Sequence, residues 1–442
     1  MKTWQTMSAA ALGRDVAAGR IDPVALAEHF LEAATAHPLA DRIYARLTTG
    51  RALAEAGAAR ARVKAGRMLS PLDGVPVSWK DLVDTAGVVT EAGSGLLKGR
   101  VPDRDATCLT HAGQAGTVCL GKTHLTELAF SGLGLNPVTQ SAPNAHDPDL
   151  CSGGSSSGAA ASVAYGLAPL AIGSDTGGSV RLPAAWNDLV GLKTTLTRVP
   201  VQGTVALCKM FDTIGPLART VEDASLGLSI LEGRPAADLR KASLTERRFA
   251  VLKTVALDGV EDAPMSGFQA AVERLGAAGA TITEIEAPEI AQAMALSGPL
   301  YAGEAYGLWR ARIEANPSVM YPLVLQRFRA GADFSAPDYV EAWATLERCR
   351  DAWRARVAAF DAVLCPTVPI LPPTIAEVEA DDSYFVERNL MALRNTRIGN
   401  LMDASVLTLP TGTRSCGISF MAPPMGEHGL LRIGAAAQAA LA

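Results

Sequence analysis

Two glycine-rich islands hold the residues most able to do chemistry in this chain. The first is Ser152-Gly-Gly-Ser155-Ser156-Ser157-Gly158, and the second is Gly173-Ser-Asp175-Thr176-Gly177-Gly178-Ser179-Val-Arg181. Glycine and serine together usually make a flexible linker. Here, however, the islands enclose Ala159–Ala164, a small-residue helical run, and an apolar segment. That pattern reads as two loops converging on one site, where a serine hydroxyl becomes a nucleophile if a base takes its proton.

Two other motifs compete for the same chemistry. Gly116-Thr-Val-Cys-Leu-Gly121-Lys122-Thr123 fits the phosphate-cradling pattern G-x-x-x-x-G-K-[ST] at every position. A phosphate cradle must be a loop between strand and helix, whereas Thr117–Leu120 is β-rich and reads as the strand itself. Gly154–Gly158 fits G-x-S-x-G, the nucleophile elbow centred on Ser156, with His428 downstream as its triad order requires. An elbow turns sharply out of an apolar strand, but Pro143, Asn144 and Pro148 mark the preceding stretch as turns.

The elements that must position these loops follow from periodicity. Roughly the first 65 residues have apolar positions at helical spacing, as in Pro23–Ala34 and Arg51–Lys64, and predict amphipathic packing helices. From Gly74 short strand-like runs appear: Val75–Trp79, Thr117–Leu120 and Leu167–Ile172, then Phe249–Leu252, Ala280–Ile285, Asp361–Pro366 and Val406–Pro410. Strands alternating with helices predict an α/β sheet. Helical patterns dominate residues 290–360, and the polar stretch Glu232–Arg248 reads as a boundary or long exposed connection. One continuous domain over 1–442 is preferred to two.

Composition narrows the function. The 442 residues carry 40 basic and 45 acidic side chains, a formal charge of -5, with 48% hydrophobic residues. This leaves no electrostatic footprint for nucleic acid or an anionic membrane and favours a small-molecule substrate. The uncharged stretch Leu150–Ser174 contains six serines and Pro169, poor material for a span of about 20 apolar residues. The amino terminus lacks the apolar run of a secretory signal. Seven scattered cysteines without a C-x-x-C pair read as free thiols of a cytoplasmic protein, and six scattered histidines show no metal-ligand spacing. No metal or other cofactor is expected.

The two islands, together with Gly74-Val-Pro-Val-Ser-Trp-Lys80-Asp81, resemble the amidase signature family. Gly191-Leu-Lys193, Phe211–Pro216, Asp361–Pro366 and Leu409–Gly412 look like later landmarks of that family, so the resemblance covers most of the chain. It implies an α/β fold with a central mixed, mostly parallel sheet covered by helices on both faces. It also implies an amidohydrolase acting on an amide, anilide or carbamate through an acyl-enzyme.

By this resemblance Lys80 is the general base, Ser155 the bridging serine preceded by a cis peptide bond, and Ser179 the nucleophile. A lysine can serve as base only when burial lowers its pKa from about 10.4. Thr176, Gly177 and Gly178 supply backbone N–H groups for an oxyanion hole. Asp175, Arg181 and Ser156 support the site, and the first two either brace the loops or touch substrate. The first island departs from the family pattern in reading Gly-Gly-Ser-Ser-Ser-Gly, and Trp79 stands where smaller residues are common. Two alternatives stay open: the glutaminase component of a tRNA-dependent amidotransferase, and a Ser-His-Asp hydrolase centred on Ser156. The assembly also stays open, a homodimer included.

Overall fold

Among the described residues, eleven short strands account for most of the apolar runs that lie between helices. In chain order they are β1 (Tyr44–Leu47), β2 (Pro76–Lys80), β3 (Val118–Thr123), β4 (Leu170–Asp175), β5 (Val190–Lys193) and β6 (Thr213–Ala218). These are followed by β7 (Arg248–Leu252), β8 (Thr281–Ile285), β9 (Ala362–Pro366), β10 (Ser405–Pro410) and β11 (Gly417–Ala422). The computed structural model describes residues 2–442.

All eleven strands join one open sheet in the order β1-β3-β2-β4-β6-β5-β10-β11-β9-β7-β8. Strands β2 to β6, β9 and β11 are buried at every position, so side chains on both of their faces are covered. That double coverage is why they read as short apolar runs rather than alternating ones. The edge strand β8 shows the opposite pattern, with exposed and half-buried positions throughout.

The sheet is mixed, as expected, but it is not mostly parallel. Six of its ten strand pairings are antiparallel. Parallel pairing needs a crossover of a dozen or more residues, usually helical. The chain supplies one between β2 and β3, where helix Thr107–Gln114 intervenes, and one between β7 and β8 through helix Asp262–Ala277. By contrast, β10 and β11 pair back to back across the short turn 411–416, and the connection from β5 to β6 has no helix.

The stretch Glu232–Arg248 is largely exposed or half-buried and links helix Val221–Glu232 to β7. Strands on either side of it belong to the same sheet. The amino-terminal region contains helices Ala9–Ala17, Pro23–Ala36 and Thr49–Lys64, but it also contributes β1 to the sheet edge, where helices alone were expected. Residues 288–357 form helices Pro288–Ala295, Glu304–Ala315, Pro322–Arg329 and Ala336–Val357, with a π-helical turn over Gly298–Gly303.

Candidate active site

Lys80 is the last residue of β2, and Ser174 and Asp175 are the last residues of β4. These strands are parallel neighbours, with Ser78 opposite Ala171 and Trp79 opposite Ile172, so their carboxyl ends bring the three residues to one place. The carboxyl ends of parallel strands are where open α/β sheets form their ligand crevices. The first serine island runs over the same place before the small-residue helix Ser157–Ala164, which is wholly buried save for its final residue.

The lysine is fully buried and touches three hydroxyls. Its Nζ lies 2.6 Å from Ser155 Oγ, 2.8 Å from Ser174 Oγ and 3.0 Å from Ser156 Oγ. Ser156 Oγ donates to the Ser174 carbonyl at 3.1 Å and accepts from the Ser174 N–H at 3.2 Å, so its own proton is already committed. Neutral lysine has two N–H groups and one lone pair. Ser156 can then only accept from it, and either Ser155 or Ser174 must donate to the lone pair. As an ammonium, its three N–H groups meet the same three oxygens. The cluster therefore satisfies either protonation state by rotating hydroxyls. Burial holds the Lys80 pKa well below the usual lysine value, against the opposing pull of Asp175 and Asp212.

Asp175 braces the second island. Arg181 Nε and Nη2 donate to its two carboxylate oxygens at 3.0 and 2.9 Å, and Asn400 Nδ2 adds a third bond at 2.9 Å. The same carboxylate accepts the N–H of Gly178 at 2.9 Å and of Val180 at 3.1 Å, gripping the loop on both sides of Ser179. Burial alone would raise the Asp175 pKa, but the Arg181 charge and these bonds outweigh it and hold the group at about 2. Thr176 Oγ1 donates to Asp212 at 2.6 Å, and burial pushes Asp212 up to about 6.

Two glycines let the islands meet. Gly154 has φ +59°, and a Cβ there would stand 2.4 Å from Pro183 Cδ and 3.1 Å from the Ser179 carbonyl oxygen. Gly178 has φ +134°, and its Cβ would fall 2.0 Å from Thr396 Oγ1. A side chain at 154 would push the two serine-bearing loops apart, and one at 178 would push the second island away from Thr396.

Ser179 lies on the wall of a cavity of about 170 Å³, together with Thr176 and Gly177. Among the described residues its hydroxyl makes no hydrogen bond, and the N–H groups of Gly177 and Ser179 donate to no protein group. Gly178, expected as an oxyanion donor, has its N–H committed to Asp175. Thr176, the other expected donor, likewise has an N–H that donates to no protein group among the described residues, so the island presents the N–H groups of Thr176, Gly177 and Ser179 without a protein acceptor.

A family model described as Amidase matches residues 25–431. This chain belongs to the amidase family. Among the amidase's relatives, 2-amino-5-chloromuconic acid deaminase from Comamonas testosteroni is 34% identical, over 87% of this chain and 85% of that one. The A subunit of glutamyl-tRNA(Gln) amidotransferase from Thermobifida fusca is 30% identical, over 98% and 96%. The solved peptide amidase from Stenotrophomonas maltophilia superposes with a TM-score of 0.84 at 26% identity, covering 99% and 97%. The amidase is thus a hydrolase of the amidase signature type.

The rival motifs have other occupations in the amidase. Residues 118–123 of the phosphate-cradle match are strand β3, and Lys122 is buried with its Nζ on Asp81 Oδ1 at 3.2 Å and Thr90 Oγ1 at 2.9 Å. His428 stands on helix Glu427–Leu441, half-exposed, with Nε2 3.5 Å from Glu232, while Ser156 bonds Lys80 and Ser174. The cis bond expected before Ser155 is absent: among the described residues all peptide bonds are trans, the form a non-proline amide prefers by about 2.5–4 kcal/mol. Ser174 is the residue sequence reasoning missed. Its place inside the second island, one residue before Asp175, was the available signal.

Among the described residues, no three His, Cys, Asp or Glu side chains gather as a metal site, and no helix is long and apolar enough to cross a membrane.

Proposed function

We propose that this amidase hydrolyses a non-peptide C–N bond of an amide-like substrate, with Ser179 as nucleophile, Ser155 as bridge and Lys80 as base. The observation that carries this reading is the 2.6 Å contact between Ser155 Oγ and the buried Lys80 Nζ, with Gly154 packed against the backbone of Ser179, which lines the cavity. As Ser179 attacks the carbonyl, its proton passes to Ser155 and the Ser155 proton passes to neutral Lys80. The oxyanion is received by N–H groups of the second island that have no protein acceptor, those of Thr176, Gly177 and Ser179. Collapse of the tetrahedral intermediate breaks the C–N bond, and the proton held by Lys80 returns through Ser155 to the departing amine. Water then repeats the sequence on the acyl-enzyme and releases the acid.

A panel of short amides, anilides, carbamates and glutamine, incubated with the purified chain alone, tests this. Amine or ammonia release is expected, with a mass increment on the Ser179 peptide in quenched samples. An increment on Ser155 or Ser156 instead would overturn the assignment. Near-full-length similarity to glutamyl-tRNA(Gln) amidotransferase chains supports a second reading, in which glutamine is hydrolysed only with a partner protein. That reading predicts no turnover by the isolated chain and its appearance when a partner is added.

A further inference from the structure

The cavity beside Ser179 is rich in donors that have nothing to donate to. Arg327 and Arg397 both line it, and its lining contains no aspartate or glutamate. Among the described residues neither arginine makes an ion pair. Arg327 spends one N–H on the Phe130 carbonyl at 3.2 Å and rests its guanidinium 4.4 Å from the Phe130 ring centroid. Arg397 has no hydrogen-bond acceptor among the described residues and lies 5.9 Å from the centroid of the Tyr301 ring.

Tyr301 adds a third donor. It is 8% exposed, lines the same cavity, and its buried hydroxyl has no hydrogen-bond partner among the described residues. A π-helical turn, a rare conformation frequent at functional sites, carries it there. Its ring is fixed by stacking on Phe211 at 4.4 Å.

Leaving buried donors and two like charges without an acceptor is costly. Burial and the neighbouring Arg397 push Arg327 down to about 9, and burial lowers Arg397 as well. A single group relieves all three residues: an anion with several acceptor oxygens. A carboxylate matches the planar fork of a guanidinium.

We propose that the substrate carries a carboxylate, and that Arg327 and Arg397, aided by the Tyr301 hydroxyl, bind it in the cavity onto which Ser179 opens. The inference rests on the serine-lysine reading above and narrows its substrate to small anionic amides. The carboxylate could belong to the acyl part or to the leaving amine, and the test separates them.

The probes are the half-amides of oxalic, malonic, succinic and glutaric acids, each set against the neutral primary amide of equal chain length, with N-acetylglycine as the substrate whose carboxylate leaves with the amine. An acidic substrate is expected to exceed its neutral counterpart in kcat/KM by about 100-fold, and Arg327→Gln or Arg397→Gln to collapse that ratio by about 30-fold or more. Preference for the half-amides places the carboxylate on the acyl side, and preference for N-acetylglycine places it on the amine. In a binding test free of turnover, the preferred acid should raise the melting temperature of Ser179→Ala and fail to do so in Ser179→Ala with Arg397→Gln. A wild-type ratio near one, or variants that lower both substrates equally, would overturn the proposal.

Labelling with a serine-directed fluorophosphonate keeps the two readings apart. If Ser179 is labelled and no acid is preferred, only the carboxylate proposal fails. If the acid raises the melting temperature but Ser179 is not labelled, only the serine-lysine reading fails.

Discussion

Arg181 grips Asp175 with two N–H groups at once, Nε on one carboxylate oxygen at 3.0 Å and Nη2 on the other at 2.9 Å, with both side chains closed to solvent. Because Asp175 also accepts the N–H groups of Gly178 and Val180, this pair sets the loop that carries Ser179. Arg181 also donates to the Thr396 carbonyl and Asn400, so four of its five N–H groups are engaged within the fold.

Arg181→Gln should therefore leave a buried carboxylate uncompensated and cost about 3–5 kcal/mol of stability. Arg181→Lys should recover little, since a single ammonium cannot span both oxygens. Urea denaturation measures both. An unchanged midpoint in Arg181→Gln would show that the pair does not hold the loop.

The pH dependence follows from Lys80. It must be neutral to take a proton, and burial lowers its pKa well below the usual value of about 10.4. The rate should rise with pH as Lys80 loses its proton and level off above that lowered pKa. In Lys80→Met the same limb should be missing. Folding follows the same sign: between the lowered pKa and about 10.4 the unfolded chain binds the extra proton, so Lys80 contributes stability that increases with pH across this window. Circular dichroism at each pH separates lost fold from lost catalysis.

The three hydroxyls around Lys80 should not be equivalent. Ser155→Ala interrupts the proposed relay and should lower kcat by about 10² to 10⁴, the range of general-base assistance. Ser174→Ala removes only a partner of the lysine, and a smaller loss with a displaced pH limb is expected. His428→Ala should leave the rate nearly unchanged, because its side chain faces Glu232 rather than the serine cluster. Steady-state kinetics on the preferred amide decide this, and a His428→Ala loss matching that of Ser155→Ala would contradict it.

The serine islands were readable because glycine and serine clusters stand out from an apolar background, whereas Lys80, at the end of an apolar run, was marked only by the resemblance of Gly74–Asp81 to the family. The buried strands at 170–175 and 362–366 were readable as short apolar runs. β11 escaped notice although it is fully buried, and β1 is hidden among amphipathic helices because its four residues pair only at the sheet edge. The direction of pairing is also hidden. Nothing in six residues reveals which way a neighbour runs, so the predominance of antiparallel pairs emerges only from the connections. Arg327, Arg397 and Tyr301 lie more than 100 residues from the islands, Tyr301 and Arg327 within the helical pattern of 290–360 and Arg397 beyond it on helix Asp382–Leu401, and no local motif marks them.

Lys122 shows how a full motif match can describe a structural residue. Its ammonium sits against Asp81, which Arg46 also reaches at 2.8 Å, and Asp81 directly follows the catalytic candidate Lys80. Strand β3 leaves no loop in which backbone N–H groups could surround a phosphate. Lys122→Met should then cost about 1–3 kcal/mol, because Arg46 continues to neutralise Asp81 while the buried Thr90 hydroxyl loses its donor. Activity should fall only as far as Asp81 shifts the end of β2. Isothermal titration of the wild-type chain with magnesium-ATP should give no binding heat. Saturable ATP binding that vanished in Lys122→Met would instead return the motif to its nucleotide role and require β3 to open.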